Sequence, residues 1–304
     1  MPAERLSERV WALTGPTNIG FLSGPGGRAV VVDTGLDESA ARKALRFLAE
    51  AGLRPVAVFN THSHADHIGG NRSIVERTGA VVHASAFEAA VVRHPVWEPI
   101  YLAGGALPGP AARTKFFMAD PTPTVVELPT DGEFELADGF PVRVVPLPGH
   151  AYGQVGLAYD GVLFTADAFL PPAVLEKHGL PFTVDVAAAE ETLARLEREA
   201  DEWNTFLPGH GPSLDRTGLL RETSVNRATF DRLRLIVHGA LDRPRSTDEL
   251  LEAIAGKLGL AFGNPGQYYL ARATTTALVT DLERRGLVSV VVDGALPRWA
   301  ANRG

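Results

Sequence analysis

The sequence predicts an α/β chain of two β layers with helices outside them, followed by a small α+β segment at its C-terminal end. Three observations carry this expectation. Short apolar runs rich in β-branched residues recur as far as about Gly211, several of them leading into helical stretches. Residues of metal-ligand type stand directly after four of those runs. From Arg245 onward the pattern reads helix, helix, hairpin.

A chain of 304 residues with 45% hydrophobic composition can bury a large core, and its length suggests one large domain plus a smaller one. The expected divisions are a catalytic domain over 1–215, a connecting helix and linker over 216–244, and a terminal domain over 245–304. A net charge of −7 gives no general attraction to nucleic acid or to anionic membranes. The absence of cysteine excludes a disulfide framework and thiolate metal ligands. Residues 1–10 are charged and lack the apolar centre of a signal peptide, and no later stretch approaches a membrane span. A cytoplasmic protein with no membrane partner is therefore expected.

The elements follow in order. Val10 to Thr14 and Asn18 to Leu22 read as strands around a Gly-Pro turn, and Arg28 to Asp33 as a third after Pro25-Gly26-Gly27. A helix is expected from about Glu38 to Ala51, a buried strand over Pro55 to Asn60, a helix over Asn71 to Thr78 closed by Gly79, and a strand over Ala80 to His83. Between Ala84 and Pro123, prolines and glycines interrupt aromatic residues, so no single regular element fits. Strand runs then resume at Thr124 to Leu128, Glu133 to Leu136, Pro141 to Pro146, Val155 to Tyr159 and Val162 to Thr165. Leu170 to Asp185 is expected as a loop, and Val186 to about Ala200 as a helix capped by Asp185.

Chemistry concentrates in Thr61 to Gly70, Thr-His-Ser-His-Ala-Asp-His-Ile-Gly-Gly, which packs three of nine histidines and an aspartate into positions 62–67. Imidazole and carboxylate are ligands of borderline and hard divalent cations. The run sits on a strand-to-helix turn, where α/β sheets present side chains to ligands. His62 and His64, two apart on extended backbone, can face one point, and Asp66 and His67 a second. Alone, Asp66 would pass for a helix N-cap. Downstream, Leu-Pro-Gly-His, Phe-Thr-Ala-Asp-Ala and Phe-Leu-Pro-Gly-His-Gly place His150, Asp167 and His210 after strand-like runs.

These motifs, in this order, resemble the metallo-β-lactamase fold superfamily over roughly Val10 to Ser213, with all seven positions filled. The resemblance implies an αβ/βα four-layer sandwich with its site at the edge between two sheets. It implies that His62, His64 and His150 hold one metal, that Asp66, His67 and His210 hold a second, and that Asp167 bridges them. Two metals about 3.5 to 4 Å apart can share a hydroxide that acts as nucleophile, with Asp66 orienting it. Two zinc ions per chain lead for this N/O donor set, with iron or manganese as alternatives. Asp33, in Asp-Thr-Gly at a strand end, would brace the histidine turn by hydrogen bonds; an ordinary turn or cap aspartate is the competing reading.

Three further residues are weighed as substrate contacts. Trp97 and Phe117, in the irregular excursion, would form a substrate wall if that segment is not plain packing. His178 would donate a proton to the leaving group if it is not simply an exposed loop histidine. His83 and His94 match no motif. The expected activity is hydrolysis of an ester, thioester, lactone or lactam of a small molecule. The alternatives are a nuclease or phosphodiesterase of the same fold, a mononuclear iron enzyme resembling persulfide dioxygenases, and a metal-responsive regulator that is not an enzyme.

Asp215 to about Leu241 reads as a long helix, with Pro244 marking a boundary. Ser246-Thr247-Asp248-Glu249 is a capping box opening an amphipathic helix. A second helix is expected from about Tyr268 to Arg285, and Leu287 to Trp299 is a hairpin with an Asp293-Gly294 turn. This order resembles a winged helix. From Arg245 onward seven basic residues face six acidic ones, a net of +1 without a basic surplus, so packing or homodimer formation is expected rather than nucleic-acid binding.

Overall fold

The computed structural model of the chain describes residues 3–302. The first half of the chain supplies a seven-stranded sheet in the order β1 to β7: Glu4–Arg5, Val10–Leu13, Ile19–Ser23, Arg28–Val32, Arg54–Phe59, Val81–Ser85 and Val125–Leu128. Its first strands pair antiparallel, whereas β4 to β7 run parallel. Parallel neighbours need crossovers, and these are helices: α1 (Glu38–Glu50), α2 (Ala65–Ile68), α3 (Asn71–Thr78), α4 (Ala86–Arg93) and α5 (Trp97–Leu102). α1 starts where the Asp37 carboxylate accepts from the Ser39 and Ala40 amides, and it buries Ala41, Ala44 and Leu48 on one stripe.

The second sheet has the order β12-β11-β10-β9-β8, from β8 (Gly132–Glu135), β9 (Pro141–Pro146), β10 (Val155–Tyr159), β11 (Val162–Ala166) and β12 (Thr205–Pro208). Between β11 and β12 lie α6 (Pro172–His178) and α7 (Val186–Arg198). After them come α8 (Arg216–His238), α9 (Thr247–Leu258), α10 (Pro265–Arg284) and a separate hairpin of β13 (Val288–Asp293) and β14 (Leu296–Ala301). No helix among the described residues is long and apolar enough to cross a membrane.

Period-two alternation sorts the strand residues into layers. In β4, Ala29 and Val31 pack with Ala44 and Leu48 of α1, while Val30 and Val32 face the other sheet. In β10 and β11, Val155, Leu157 and Phe164 join that intersheet core, whereas Ala158 and Leu163 turn outward to Leu193 of α7 and Leu233 of α8. The result is four layers, helix, sheet, sheet, helix, in agreement with the architecture expected. The outer core is continuous from β9 through α7 and α8 to Leu250, Ile254, Leu278 and Leu282 of α9 and α10, so the segment after Pro244 shares a core with the second sheet.

Two segments expected to be irregular contain helices. Pro99 and Pro172 read as breakers, yet each stands in the first turn of its helix, where an amide hydrogen has no intrahelical partner to lose. α9 carries the capping box between Ser246 and Glu249, as expected. The terminal hairpin is joined by Gly294 and Ala295, one residue later than expected, because Asp293 still pairs with Leu296.

Candidate metal centre

The carboxyl ends of β4, β5, β11 and β12 meet at one edge of the sandwich, and the ligand-type residues leave the strands there. His62 and His64 lie on the extended residues after β5. His64 Nδ1 is 3.0 Å from His62 Nε2 and 3.0 Å from His150 Nε2, so three imidazole nitrogens converge. A second group forms beside them. His210 Nε2 lies 3.5 Å from Asp66 Oδ2, and His67 Nε2 lies 3.9 Å from the same atom.

Asp167 stands between the groups. Its Oδ2 is 3.4 Å from His150 Nε2 and 3.2 Å from His210 Nε2, and its Oδ1 is 3.6 Å from His67 Nε2. The residue before it, Ala166, has φ of 50°, a left-handed conformation rare for a residue with a β carbon, and the β11–β12 register shifts at that point. This local strain, on the order of 1 kcal/mol or more, accompanies the turn of Asp167 into the site.

Hydrogen bonds behind the histidines set which nitrogen faces inward. Asp33 accepts from His67 Nδ1 at 2.7 Å, from the Thr61 hydroxyl at 2.8 Å and from the Thr61 amide at 2.9 Å. Thr61 Oγ1 in turn lies 3.1 Å from His62 Nδ1. His150 Nδ1 donates to the Phe182 carbonyl at 3.0 Å, and His210 Nδ1 to the Pro16 carbonyl. One aspartate thus anchors a histidine from each group. Replacing Asp33 with alanine is expected to weaken metal retention about 10- to 100-fold, checked by titrating bound metal against a chelator.

The two groups differ in charge. Burial holds His62 and His150 below the ordinary histidine range and takes His64 down to about 3, leaving neutral imidazoles. Asp167 pushes His210 up to about 9. Burial opposes charge on His67, but Asp167, Asp66 and Asp33 outweigh it and push that imidazole well up. A cation entering the second group must therefore displace protons. Apparent metal affinity there is expected to rise with pH, roughly tenfold per unit for each displaced proton, until His210 is neutral near pH 9. The three-histidine group should show no comparable slope between pH 7 and 9, above the ordinary histidine value; calorimetric titration over that range separates the two.

His67 Nε2 and Asp167 Oδ1 are buried with no hydrogen-bond partner among the described residues. They face each other at 3.6 Å, too long for a hydrogen bond, so each keeps a bonding position that a cation can fill. Gly209 adds a cradle: a β carbon there would stand 2.0 Å from Asp167 Oδ1 and 2.8 Å from His67 Cε1. Both features suit a divalent cation held by imidazole and carboxylate.

A family model described as the metallo-beta-lactamase superfamily matches residues 12–210, more than half of the chain. The chain belongs to the metallo-beta-lactamase superfamily. It is 34% identical over 154 residues to a hydroxyacylglutathione hydrolase of Anaeromyxobacter dehalogenans, covering 50% of this chain and 46% of the relative. A hydroxyacylglutathione hydrolase of Gloeobacter violaceus is 32% identical over 135 residues, covering 43% and 42%. The chain thus spans less than half the length of these two relatives. Among solved structures, a metallo-beta-lactamase family protein from Thermus thermophilus superposes with a TM-score of 0.73 at 25% identity, covering 98% of this chain and all of the other. A beta-lactamase domain protein from Burkholderia ambifaria gives 0.76 at 22% identity, over 99% and 94%, and shows the shared fold.

Above the clustered histidines and aspartates of this superfamily member lies a cavity of about 360 Å³, lined there by His64, Asp66, His150, Asp167 and His210. Phe116 and Phe117 form one side, and Leu260, Phe262 and Leu270, around α9 and α10, form another. Phe117 lies on α10 so closely that a β carbon on Gly266 would meet its ring at 2.1 Å. Trp97 opens α5, is 52% exposed and is not part of the cavity lining. His178 ends α6 rather than sitting in a loop, and it is exposed at the rim of the cavity, which it helps to line. His83 is buried in β6, where burial takes it down to about 4.

Two acidic residues went unremarked in the sequence. Glu88 of α4 is buried and accepts from the Ser63 amide and hydroxyl at 2.9 and 2.5 Å and from the Gly153 amide at 2.8 Å, tying the histidine turn to the loop that carries His150. Glu98 of α5 is buried and lines the cavity. A carboxylate alone in the apolar run Ala86 to Arg93 was a signal available for Glu88.

Proposed function

We propose that the chain is a dinuclear metal-dependent hydrolase that cleaves the acyl bond of a small thioester, with ester, lactone and lactam bonds as related substrates. The observation that carries this is the convergence of seven donor side chains, two with buried atoms that make no hydrogen bond, beneath a cavity sized for a small molecule. His62, His64 and His150 would hold one ion, Asp66, His67 and His210 the other, and Asp167 both. The ions, zinc by donor type, would supply a water acidified toward neutrality and polarise the acyl oxygen. The superfamily membership and the likeness to hydroxyacylglutathione hydrolases support this reading, an acylglutathione being a thioester.

The chain's own groups do the rest. Asp66 Oδ2, held by the Thr17 hydroxyl at 2.9 Å, faces the cavity and is placed to orient the attacking water and accept its proton. Phe117 and Phe262 seat an apolar part of the substrate, with the exposed Phe116 at the rim. His178, which burial and the neighbouring Lys177 hold below the ordinary histidine range, lines the cavity where it can contact the leaving group. Because the C-terminal elements spend apolar side chains on the cavity and the core, they serve the small-molecule site rather than a nucleic-acid surface.

The test is elemental analysis of protein purified without added metal, followed by assay on thioesters, lactones, β-lactams, phosphodiesters and RNA. Two zinc ions per chain and thioester turnover abolished by chelation support the proposal; one iron per chain with oxygen uptake overturns it. Phe117→Ala is expected to raise KM several-fold with little change in kcat, since it removes substrate contact and not chemistry. Trp97→Ala should leave both constants unchanged; equal effects in the two variants would mean that the segment acts through packing.

A further inference from the structure

Glu98 is 4% exposed and lines the cavity beside Phe117, Phe262 and Leu270. Its side chain makes no hydrogen bond or ion pair among the described residues, and Lys177, the one lysine in the lining, does not reach it. Burial, with the nearby charges of Asp66 and Glu88 and against that of His67, pushes its carboxyl well up, which favours the uncharged form; that form still accepts a hydrogen bond through its carbonyl oxygen. No part of the metal-holding set or of the hydrolytic step uses it. A buried carboxyl without a partner is costly to keep unless a ligand completes it.

We propose that Glu98 determines substrate specificity by accepting a hydrogen bond from a donor group on the acyl part of the substrate, whose apolar remainder packs between Phe117, Phe262 and Leu270. This rests on the hydrolase reading of the same cavity and deepens it: the acyl group is apolar but carries one hydroxyl or amino group beyond its α carbon. A site built around such a bond rejects the analogue that lacks the donor, because the carboxyl is then buried unpaired. The alternative role for a buried glutamate, bracing the fold, is filled in this region by Glu88, which has three protein donors; Glu98 has none.

The experiment compares matched N-acetylcysteamine thioesters of four- to six-carbon acids, unsubstituted or carrying a hydroxyl or amino group at carbon 3, 4 or 5. Placing the donor beyond the α carbon keeps direct chelation of the metals out of the comparison. In the wild type, at least one donor-bearing acyl group is expected to exceed its unsubstituted partner in kcat/KM by about tenfold or more. Glu98→Leu should erase that ratio, and Glu98→Gln, which still accepts a hydrogen bond, should hold it within about threefold for a hydroxyl. Preference for an amino group lost in both variants would identify the donor as an ammonium paired with the carboxylate. The corresponding free acids are titrated calorimetrically against metal-loaded protein, so the affinity ratio is read even where no thioester is cleaved. Absence of turnover with the affinity ratio intact would sink the hydrolase reading alone. A ratio near one in the wild type, or one that survives in Glu98→Leu, overturns the role of Glu98.

Discussion

Asp167→Asn is expected to lower kcat by about three orders of magnitude and to reduce bound metal below two ions per chain, with the far-ultraviolet circular dichroism unchanged. The carboxylate reaches toward His150, His67 and His210 at 3.2 to 3.6 Å, so its charge belongs to both donor groups at once. Asparagine preserves the shape and removes that charge, leaving a single amide oxygen as a poor substitute for a bridging ligand. Without metal there is a second consequence. His210 and His67 hold the Asp167 carboxyl well below the usual carboxylate range despite its burial. A carboxyl depressed on folding contributes stability above its unfolded value, near pH 4, and loses it as pH falls further. Metal-free wild type should therefore lose more stability than Asp167→Asn on acidification below about pH 4. Loss of metal from one group only, with kcat reduced less than about tenfold, would mean that Asp167 does not join the two.

Arg234→Ala is expected to cost about 3 kcal/mol, seen as a melting temperature lower by roughly 5 °C, with little change in kcat. Arg234 of α8 is 7% exposed, and its guanidinium donates to Asp281 of α10 at 2.6 Å and to Glu190 of α7 at 2.8 Å. Asp281 is 2% exposed, so losing this partner leaves a carboxylate poorly placed to recover hydration. Arg285 still reaches Asp281 at 2.9 Å and Glu190 at 2.9 Å, which keeps the cost toward the lower end for a broken buried pair. Arg234→Met combined with Asp281→Leu should recover most of the loss, because an apolar pair requires no desolvation of charge. Equal destabilisation in the single and double variants would point to lost packing instead.

The site's donor residues were legible because each announces itself locally. His62 to His67 are dense in ligand types, and His150, Asp167 and His210 each follow a strand run whose apolar pattern is plain. The alternation of β4, β10 and β11 likewise shows in the sequence, since each buries one face against the other sheet. What escaped were residues whose meaning depends on distant partners. Glu88 stands out only as a lone carboxylate in an apolar run, and its role shows once Ser63 and Gly153 are brought to it. α5 and α6 were hidden by prolines that stand in first turns, and the contact of Phe117 with Gly266 joins segments far apart in the chain. The expectation for Trp97 arose from its place in an aromatic, loop-rich excursion, which does not say whether a given ring faces a cavity or solvent.

The central claim is tested most directly by crystals of the metal-loaded protein measured on both sides of the zinc absorption edge. The account predicts two anomalous peaks about 3.5 to 4 Å apart, one within reach of His62, His64 and His150, the other within reach of Asp66, His67 and His210, with Asp167 touching both. A single peak, or peaks elsewhere in the molecule with these seven side chains left uncoordinated, would contradict it.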